Sequence, residues 1–425
     1  MKFSKTLIVT ILFFSLIFIP NITMVQATQT DDSEPVSVIL MIGDGMGYEH
    51  LKLAKWVEYG KNAINLTMVT ELAHSVTTES ADSLITDSAA AATAIATGVK
   101  TNNNWVSIAP DGTELETILE KAQQDGKSTG IVTTTSLQHG TPAAFMTHTE
   151  SRSDFSTISQ QIVENSGVNV LLGGGRSIFT ETQLNFMEEK GYTLVEDRTS
   201  MMSITSGNIL GLFSEGDIGF EEIRNFTLTP SLAEMTGKAL ELLSQDSNGF
   251  FLMVEGGRID HAGHDNNKVG VALETIAFDR AVGRAYSYAA QTPNTILIVT
   301  ADHETGGLMI TSDSLNSQLP SLGMTEEAQR TIRISRANSI NVTWSTGYHT
   351  DANVPLYLHG DFFEQYSLND IIDNTDVYQI MDDFFSSELQ RATPLLTPTR
   401  GVIAGGSVVI IVLIAYFIRL RRSNP

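Results

Sequence analysis

Short runs of apolar, mostly β-branched residues recur along the chain, and each ends abruptly in a polar or glycine-rich segment. Five of them have the length of a strand, namely residues 36–42, 129–135, 168–172, 250–254 and 295–300. A continuous apolar run, unlike an alternating one, is typical of a strand buried on both faces of a parallel sheet. The pattern therefore predicts a buried sheet with polar motifs at the ends of its strands.

Helix-like segments lie between several of these runs. Residues 115–123, 231–243 and 268–290 have apolar side chains at helical spacing and few helix breakers. The alternation predicts an α/β domain at 28–385, with a doubly wound, mostly parallel central sheet and helices on both faces. In such folds ligands bind beyond the carboxyl ends of the strands. Residues 308–345 are mostly polar and are predicted to be a small insertion.

The two ends of the chain have a different pattern. Residues 1–27 carry two lysines, a 13-residue apolar run and small residues, as in a cleaved secretory signal; an uncleaved anchor is the alternative. Residues 401–418 lack any charge and precede three arginines, which predicts a transmembrane helix with a cytoplasmic tail at 419–425. We expect a single-pass protein of the cell membrane with an extracellular domain and a juxtamembrane stalk at 386–400.

The composition limits the chemistry that the domain can perform. The chain has 425 residues, 42% of them hydrophobic, which is enough for a full core. It has no cysteine, so a thiol nucleophile, an iron-sulfur cluster and a cysteine zinc site are excluded, and any metal must be held by histidines and carboxylates. The formal net charge of -23 argues against nucleic-acid binding.

Candidate metal ligands stand at the ends of the predicted strands. Asp260 and His264 are four residues apart, so on a helical turn both side chains reach a single ion, and Glu255 ends the preceding strand. Histidine with aspartate suits Zn²⁺, whereas Asp44, Thr141 and Glu255 offer only oxygen atoms and suit Mg²⁺. Each motif alone is weak, but their coincidence at strand ends predicts a centre with several metal ions.

Ser88 is the candidate nucleophile. It follows Thr86 and Asp87 and precedes an alanine-rich helical run, so we expect it near a helix N-terminus, where free N–H groups favour a bound anion such as phosphate. Taken alone, Ser88 is better interpreted as a helix N-cap. Beside a zinc ion the interpretation as a nucleophile is favoured, because the metal lowers the pKa of the hydroxyl and no histidine base is needed.

Eight motifs together resemble the alkaline phosphatase family. In chain order they are Gly43-Asp44-Gly45-Met46-Gly47, Thr86-Asp87-Ser88-Ala89-Ala90, Thr97-Gly98-Val99-Lys100-Thr101, Gly140-Thr141-Pro142-Ala143-Ala144, Ser151-Arg152, Glu255-Gly256 with Ile259-Asp260-His261-Ala262-Gly263-His264, Ala301-Asp302-His303-Glu304-Thr305-Gly306-Gly307, and Gly347-Tyr348-His349-Thr350. They run in the order of the family from about residue 36 to about residue 360. The resemblance implies an alkaline phosphatase-like fold and catalytic domain.

The resemblance also implies two zinc ions and one magnesium ion. The ligands would be Asp260, His264 and His349 for one zinc, Asp302 and His303 for the second, and Asp44, bridging to the magnesium, with Thr141 and Glu255. Ser88 would become a phosphoserine, and the planar fork of Arg152 would hold two phosphoryl oxygens. His139 and His261 stand where certain bacterial relatives have Asp and Lys; His139 would lie beside the magnesium ligands, and His261 would reach zinc or phosphate through water.

The function that the resemblance implies is hydrolysis of small phosphate monoesters by an enzyme anchored through its C-terminal helix. Relatives are often dimers, so a homodimer is part of this expectation. One alternative is a phosphodiesterase or sulfatase of the same superfamily, although Asp87-Ser88-Ala89 with Arg152 favours the monoester. The other is a non-catalytic surface binding protein that retains the fold, which predicts missing ligands, whereas all eight inferred positions hold usable side chains.

Overall fold

The computed structural model describes residues 35–392, with gaps at 63–65, 71, 165 and 317. The predicted signal sequence, transmembrane helix and cytoplasmic tail lie outside the described residues. Of the predicted stalk, residues 386–392 belong to the last described helix, and the rest lies outside this range. Within the part of the chain that is described, no helix is both long and apolar enough to cross a membrane.

A ten-stranded sheet forms the centre of the domain. In chain order its strands are β1 (Ser37–Ile42), β2 (Leu72–Thr77), β3 (Ser128–Ser136), β4 (Val170–Gly174), β5 (Thr193–Val195), β6 (Ile209–Leu212), β7 (Phe250–Glu255), β8 (Thr295–Thr300), β13 (Val354–His359) and β14 (Ile371–Asp373). Their spatial order is β14-β2-β13-β8-β1-β7-β3-β4-β6-β5. Only β13 runs antiparallel to its neighbours in this sheet.

The remaining four strands form two small antiparallel sheets. Strand β9 (Glu304–Thr305) pairs with β12 (His349–Thr350), and β10 (Met309–Asp313) pairs with β11 (Ile340–Thr343). The β10–β11 pair and the helix between these two strands account for most of the predicted insertion. Both small sheets follow β8 in the chain, so this stretch interrupts the alternation of strand and helix.

The helices connect the strands. They are α1 (Tyr48–Glu58), α2 (Ser88–Thr97), α3 (Ile118–Gln124), α4 (Gly140–Met146), α5 (Phe155–Glu164), α6 (Glu181–Glu189), α7 (Arg198–Ser203), α8 (Leu232–Leu243), α9 (Arg258–His264), α10 (Lys268–Ala289), α11 (Glu326–Asn338) and α12 (Asn374–Ala392). Every residue of β1, β7 and β8 is buried, which requires packing on both faces of the sheet. The predicted doubly wound α/β fold is confirmed.

Four adjacent strands, β8, β1, β7 and β3, bring their carboxyl ends to one place. Ile42 at the end of β1 pairs with both Glu255 and Thr300, and Thr133 in β3 pairs with Glu255. The segments that leave these ends carry most of the predicted ligands. The parallel register therefore brings together residues that are far apart in the sequence.

Candidate active site

A tight turn after β1 places Asp44 among the predicted ligands at the carboxyl ends of these strands. Gly45 has φ +73°, and a Cβ atom there would lie 2.7 Å from Thr305 Oγ1 and 2.9 Å from Asp260 Cα, so only glycine fits. Asp44 is fully buried, and neither of its carboxylate oxygens has a hydrogen-bond partner among the described residues. A buried carboxylate without a partner is unfavourable unless a cation or a proton balances it.

Ser88 begins helix α2. Asp87 is the N-cap and accepts a hydrogen bond from Ala90 N at 3.0 Å, so the interpretation of Ser88 as the cap itself is wrong. The Ser88 hydroxyl is buried and lies 3.1 Å from His303 Nε2. The structure thus places this hydroxyl both at a helix N-terminus and against a candidate metal ligand.

Arg152 faces the same helix N-terminus. Its Nη1 donates to Asp87 Oδ2 at 3.0 Å, and its Nη2 lies 3.1 Å from His139 Nε2. A Cβ atom on Gly140 would lie 3.0 Å from Arg152 Cζ, so a glycine there leaves room for the guanidinium. The side chain is 20% exposed, so solvent reaches part of it.

The first group of candidate ligands consists of Asp260, His264 and His349, whose ligand atoms all lie within 4.8 Å of one another. Helix α9 carries Asp260 and His264, with 3.3 Å between Oδ2 and Nε2. Strand β12 brings His349 Nε2 to 3.5 Å from Asp260 Oδ1 and 3.1 Å from His264 Nε2. The structure thus brings together the three residues that the sequence predicts for one zinc site.

Backbone carbonyls orient both histidines of this group. His264 Nδ1 lies 2.8 Å from Gly347 O, and His349 Nδ1 lies 2.8 Å from Thr86 O. Because a carbonyl oxygen only accepts, each Nδ1 carries a hydrogen, and a metal ion would bind at Nε2. For His264 this requires loss of the Nε2 proton that faces Asp260 in the metal-free protein.

The second group surrounds His303. Its Nε2 lies 3.5 Å from Asp44 Oδ1 and 3.3 Å from Asp302 Oδ2. Asp302 Oδ1 accepts from the backbone N–H groups of Gly45 and His303, whereas Oδ2 is buried and has no hydrogen-bond partner in the described part of the chain. One oxygen thus fixes the carboxylate while the other faces His303 Nε2.

The third group contains Glu255, Asp44 and His139, whose ligand atoms also lie within 4.8 Å. Glu255 Oε2 accepts hydrogen bonds from the hydroxyls of Thr133 and Thr135, while Oε1 has no partner within the described residues. The structure brings His139 Nδ1 to 3.9 Å from Oε1. The Thr141 hydroxyl is fully buried, has no hydrogen-bond partner among the described residues, and lowers the pKa of Glu255.

The pKa values reflect the crowding of buried carboxylates. Burial raises the pKa of Glu255 to about 7, although the hydroxyls of Thr133, Thr141 and Thr135 lower it. Burial, together with the charges of Asp260 and Glu255, raises the pKa of Asp302 to about 7 and that of Asp44 well above its usual range. Such a set of oxygens is suited to divalent cations, which remove the cost of ionisation.

The histidine-rich side of the site behaves differently. Burial opposes ionisation of Asp260, but the hydrogen bond from His264 and the charges of His303 and His349 outweigh it and lower the pKa of Asp260. The bond to Asp260 in turn raises the pKa of His264 to about 9. In the absence of a metal ion, a proton on His264 balances this carboxylate.

Several residues around the site were not singled out from the sequence. Arg258 Nη1 donates to Asp217 Oδ2 at 2.9 Å and lies 2.5 Å from His261 Nδ1, so this pair fixes the ring of His261. Thr305 contacts Asp260 and His303. Thr305 is part of a motif quoted above, but only its contacts in the fold reveal what it touches.

These features define an α/β protein with three adjoining sets of divalent-cation ligands around a serine at a helix N-terminus. A profile described as "Alkaline phosphatase" matches residues 36–332. Alkaline phosphatase 3 of Bacillus subtilis (strain 168) is 32% identical over 426 residues, 84% of this chain and 91% of that protein. Alkaline phosphatase 4 of the same strain is 38% identical over 67% of this chain and 65% of that protein.

Solved structures agree with the sequence comparisons. The cold-active alkaline phosphatase of a psychrophilic Shewanella sp. has a TM-score of 0.71 at 28% identity, covering 82% of this chain and all of that one (100%). The enzyme of Thermus thermophilus has a TM-score of 0.72 at 26% identity, covering 86% and 95%. The chain belongs to the alkaline phosphatase family, and the prediction of a phosphomonoester hydrolase is confirmed.

Proposed function

We propose that the protein hydrolyses phosphate monoesters through a phosphoserine at Ser88. The position of the Ser88 hydroxyl carries this proposal, because it lies at the N-terminus of α2 and 3.1 Å from His303 Nε2. A phosphate ester bound there meets free backbone N–H groups and the positive end of the helix dipole. Phosphoryl transfer depends mainly on such positioning and on charge stabilisation.

We propose two zinc ions and one magnesium ion as cofactors. The ligands would be Asp260, His264 and His349 for one zinc, Asp302, His303 and Asp44 for the other, and Asp44, Thr141 and Glu255 for the magnesium. When bound, the cations neutralise the phosphate ester and favour the ionised form of the serine hydroxyl. A variant of the TAB5 alkaline phosphatase, a structural neighbour at 28% identity and a TM-score of 0.69, is described with Mg bound.

The side chains around Ser88 would perform the remaining tasks. Arg152 would bind two phosphoryl oxygens through its planar fork, and its pairing with Asp87 holds it in place beforehand. His261 would contact the phosphate through water, in the orientation that Arg258 and Asp217 impose. His139 would adjust the magnesium site from its position between Arg152 and Glu255.

The test replaces the nucleophile. We expect Ser88→Ala to release almost no nitrophenol from its phosphate ester. The variant should still bind zinc, because Ser88 is not among the proposed metal ligands. A short acid quench of the wild type with labelled substrate should trap one phosphoryl group on Ser88, detected by peptide mass spectrometry. Full activity in Ser88→Ala, or a label on another residue, would exclude this nucleophile.

We also propose that residues 1–27 export the domain and that residues 401–418 hold it at the cell membrane. The support is the apolar, uncharged sequence of the second segment and the three arginines that follow it. Deletion of residues 401–425 should move phosphatase activity from the membrane fraction to the medium. Activity that stays with the membrane after this deletion would contradict the proposal. The homodimer that the family resemblance implies is tested on the released domain by sedimentation.

A further inference from the structure

Strand β9 directly follows His303 in the chain and pairs with β12, the strand that carries His349. It consists of only Glu304 and Thr305, which pair with Thr350 and His349 of β12. The backbone N–H of Thr305 also donates to Gly45 O at 3.1 Å, in the turn that carries Asp44. Thr305 is therefore connected through the backbone to two segments that hold candidate ligands.

The Thr305 hydroxyl connects two further ligands through its side chain. It donates to Asp260 Oδ1 at 2.5 Å and lies 3.3 Å from His303 Nδ1. Since its single hydrogen is used on Asp260, the hydroxyl oxygen is left to accept from His303 Nδ1. His303 then keeps a lone pair on Nε2, the atom that faces Ser88, Asp44 and Asp302.

This arrangement completes a pattern among the three histidines. Nδ1 of His264 and Nδ1 of His349 face backbone carbonyls, whereas Nδ1 of His303 faces the side chain of Thr305. A substitution cannot remove a backbone carbonyl, but it can remove the hydroxyl. Thr305 is thus the point at which the orientation of a candidate ligand depends on a replaceable group.

The surroundings hold the Thr305 side chain in one orientation. The residue is fully buried, and a Cβ atom on Gly45 would approach its Oγ1 to 2.7 Å, while one on Gly263 would approach its Cγ2 to 3.0 Å. The neighbouring Glu304 carboxylate fixes the strand, because it accepts from the Thr350 hydroxyl and from the N–H groups of Gly307 and Leu308. A hydroxyl held this firmly transmits its position to the groups that it contacts.

We propose that Thr305 is a positioning residue that sets the geometry of both zinc sites, by fixing Asp260 in one and the tautomer of His303 in the other. This inference rests on the proposed metal assignment. The groups that orient metal ligands typically change metal affinity or activity by about 10- to 100-fold when they are removed. The methyl group of Thr305 makes no hydrogen bond, so Thr305→Ser keeps the hydroxyl on which this role depends.

The experiment compares Thr305→Val, which has nearly the same shape without the hydroxyl, with Thr305→Ser, which keeps the hydroxyl. The matched control is Thr236→Val, since Thr236 is equally buried and its hydroxyl donates only to Leu232 O in helix α8. Zinc affinity is measured by chelator competition on the purified domain, and the unfolding midpoint is measured on the metal-free form. Thr305→Ala is carried along and decides by the same criteria if the valine variant does not fold.

We expect Thr305→Val to bind zinc about 10- to 100-fold more weakly, Thr305→Ser to stay within about threefold of the wild type, and Thr236→Val to be unchanged. Unaltered zinc affinity in Thr305→Val would overturn the positioning role. An equal loss of zinc affinity in Thr305→Ser would overturn it too. The same holds if metal-free Thr305→Val unfolds at a lower midpoint than metal-free Thr236→Val and this instability accounts for the weaker zinc binding. A wild-type protein that binds no zinc would overturn both the proposed metal assignment and the positioning role that rests on it.

Discussion

At the scale of single residues, hydrogen bonds hold one side of each of four candidate ligands. The other side is left to bind a metal ion. Asp302 and Glu255 each have one oxygen held by backbone or hydroxyl donors and one without a hydrogen-bond partner among the described residues. His264 and His349 are held at Nδ1 and present Nε2. These hydrogen bonds explain how the ligand side chains stay oriented in the metal-free protein, although several buried carboxylates lie close together.

Replacement of Arg152 by lysine tests the value of the planar fork. We expect Arg152→Lys to lose about tenfold in kcat/KM and to bind inorganic phosphate correspondingly more weakly, because lysine offers a point charge and no paired donors. Arg176→Lys is the control, since Arg176 pairs with Glu181 and Glu196 at the surface. Equal phosphate inhibition constants in Arg152→Lys and the wild type would contradict the assignment.

The raised carboxyl pKa values predict pH-dependent metal loading. In the metal-free protein Glu255 and Asp302 have pKa values of about 7, so they are protonated at lower pH and must release protons when a cation binds. Metal affinity should therefore fall as the pH drops below about 7. Titration of magnesium and zinc binding between about pH 5.5 and 8.5 checks this, and a flat profile would exclude proton competition.

The same pKa values have the opposite effect on the metal-free fold. A carboxyl whose pKa is raised by folding contributes stability that is present below its unfolded value and is lost as the pH rises through the folded value. The metal-free protein should thus lose stability between about pH 4 and about pH 7 from these groups. Thermal unfolding of metal-free wild type against metal-free Glu255→Gln should show a smaller pH slope in the variant.

At the scale of elements, the long apolar strands and the strongly periodic helices could be predicted from the sequence. Strands β1, β3, β4, β7 and β8 and helices α3, α8 and α10 coincide with predicted segments to within a few residues. The two-residue strands β9 and β12 could not be found in this way. They are recognised by the pairing of Thr305 with His349 and of Glu304 with Thr350, which depends on contacts distant in sequence.

Helix α2 offers a test of how its end opposite Ser88 is held. Gly98 ends this helix with φ +73°, and an added Cβ would lie 2.8 Å from Tyr378 Cδ1. We expect Gly98→Ala to lower the free energy of unfolding by more than the 1–2 kcal/mol or so of a left-handed backbone alone. Gly112→Ala is the control for that backbone effect, because Gly112 has φ +88° and nothing near its Cβ position.

Urea unfolding of the two glycine variants separates the contributions. The difference between Gly98→Ala and Gly112→Ala measures the clash with Tyr378, and the double variant Gly98→Ala with Tyr378→Ala should recover part of it. Equal losses in the two single variants would show that Tyr378 gives way without cost.

At the scale of the whole molecule, the acidic composition has a local explanation. Asp44, Glu255, Asp260 and Asp302 are all buried within one site, so a part of the net charge of -23 belongs to the candidate metal centre. From the sequence alone, Asp44, Glu255 and Asp260 are predicted as ligands at strand ends, and Asp302 is added by resemblance. The sequence does not identify Asp217, Arg258 or Thr305 as members of the site, since each contacts it only through the fold.

Removal of the cations should therefore destabilise the whole domain. A ligand at a thousand times its Kd adds about 4 kcal/mol to the stability of a native state. We expect a chelator to lower the thermal unfolding midpoint by several degrees and added zinc with magnesium to restore it. In Asp44→Asn, which removes the carboxylate shared by two of the ligand groups, the same treatment should have a much smaller effect. A midpoint that is indifferent to chelation in the wild type would contradict this account.

The central position of β1 has a consequence for how the chain acquires its structure. This strand comes first in the sheet's chain order but lies between β7 and β8, and its Ser37 contacts Phe250 across 213 positions of sequence. At about 5–20 residues per second of synthesis, roughly 10 to 40 s separate the appearance of β1 from that of its first partner. During that interval the apolar residues 38–42 have no partner strand, so folding is expected to be slow and exposed to aggregation. Chaperones that bind extended apolar segments should therefore raise the folding yield most when they act on the amino-terminal third of the nascent chain.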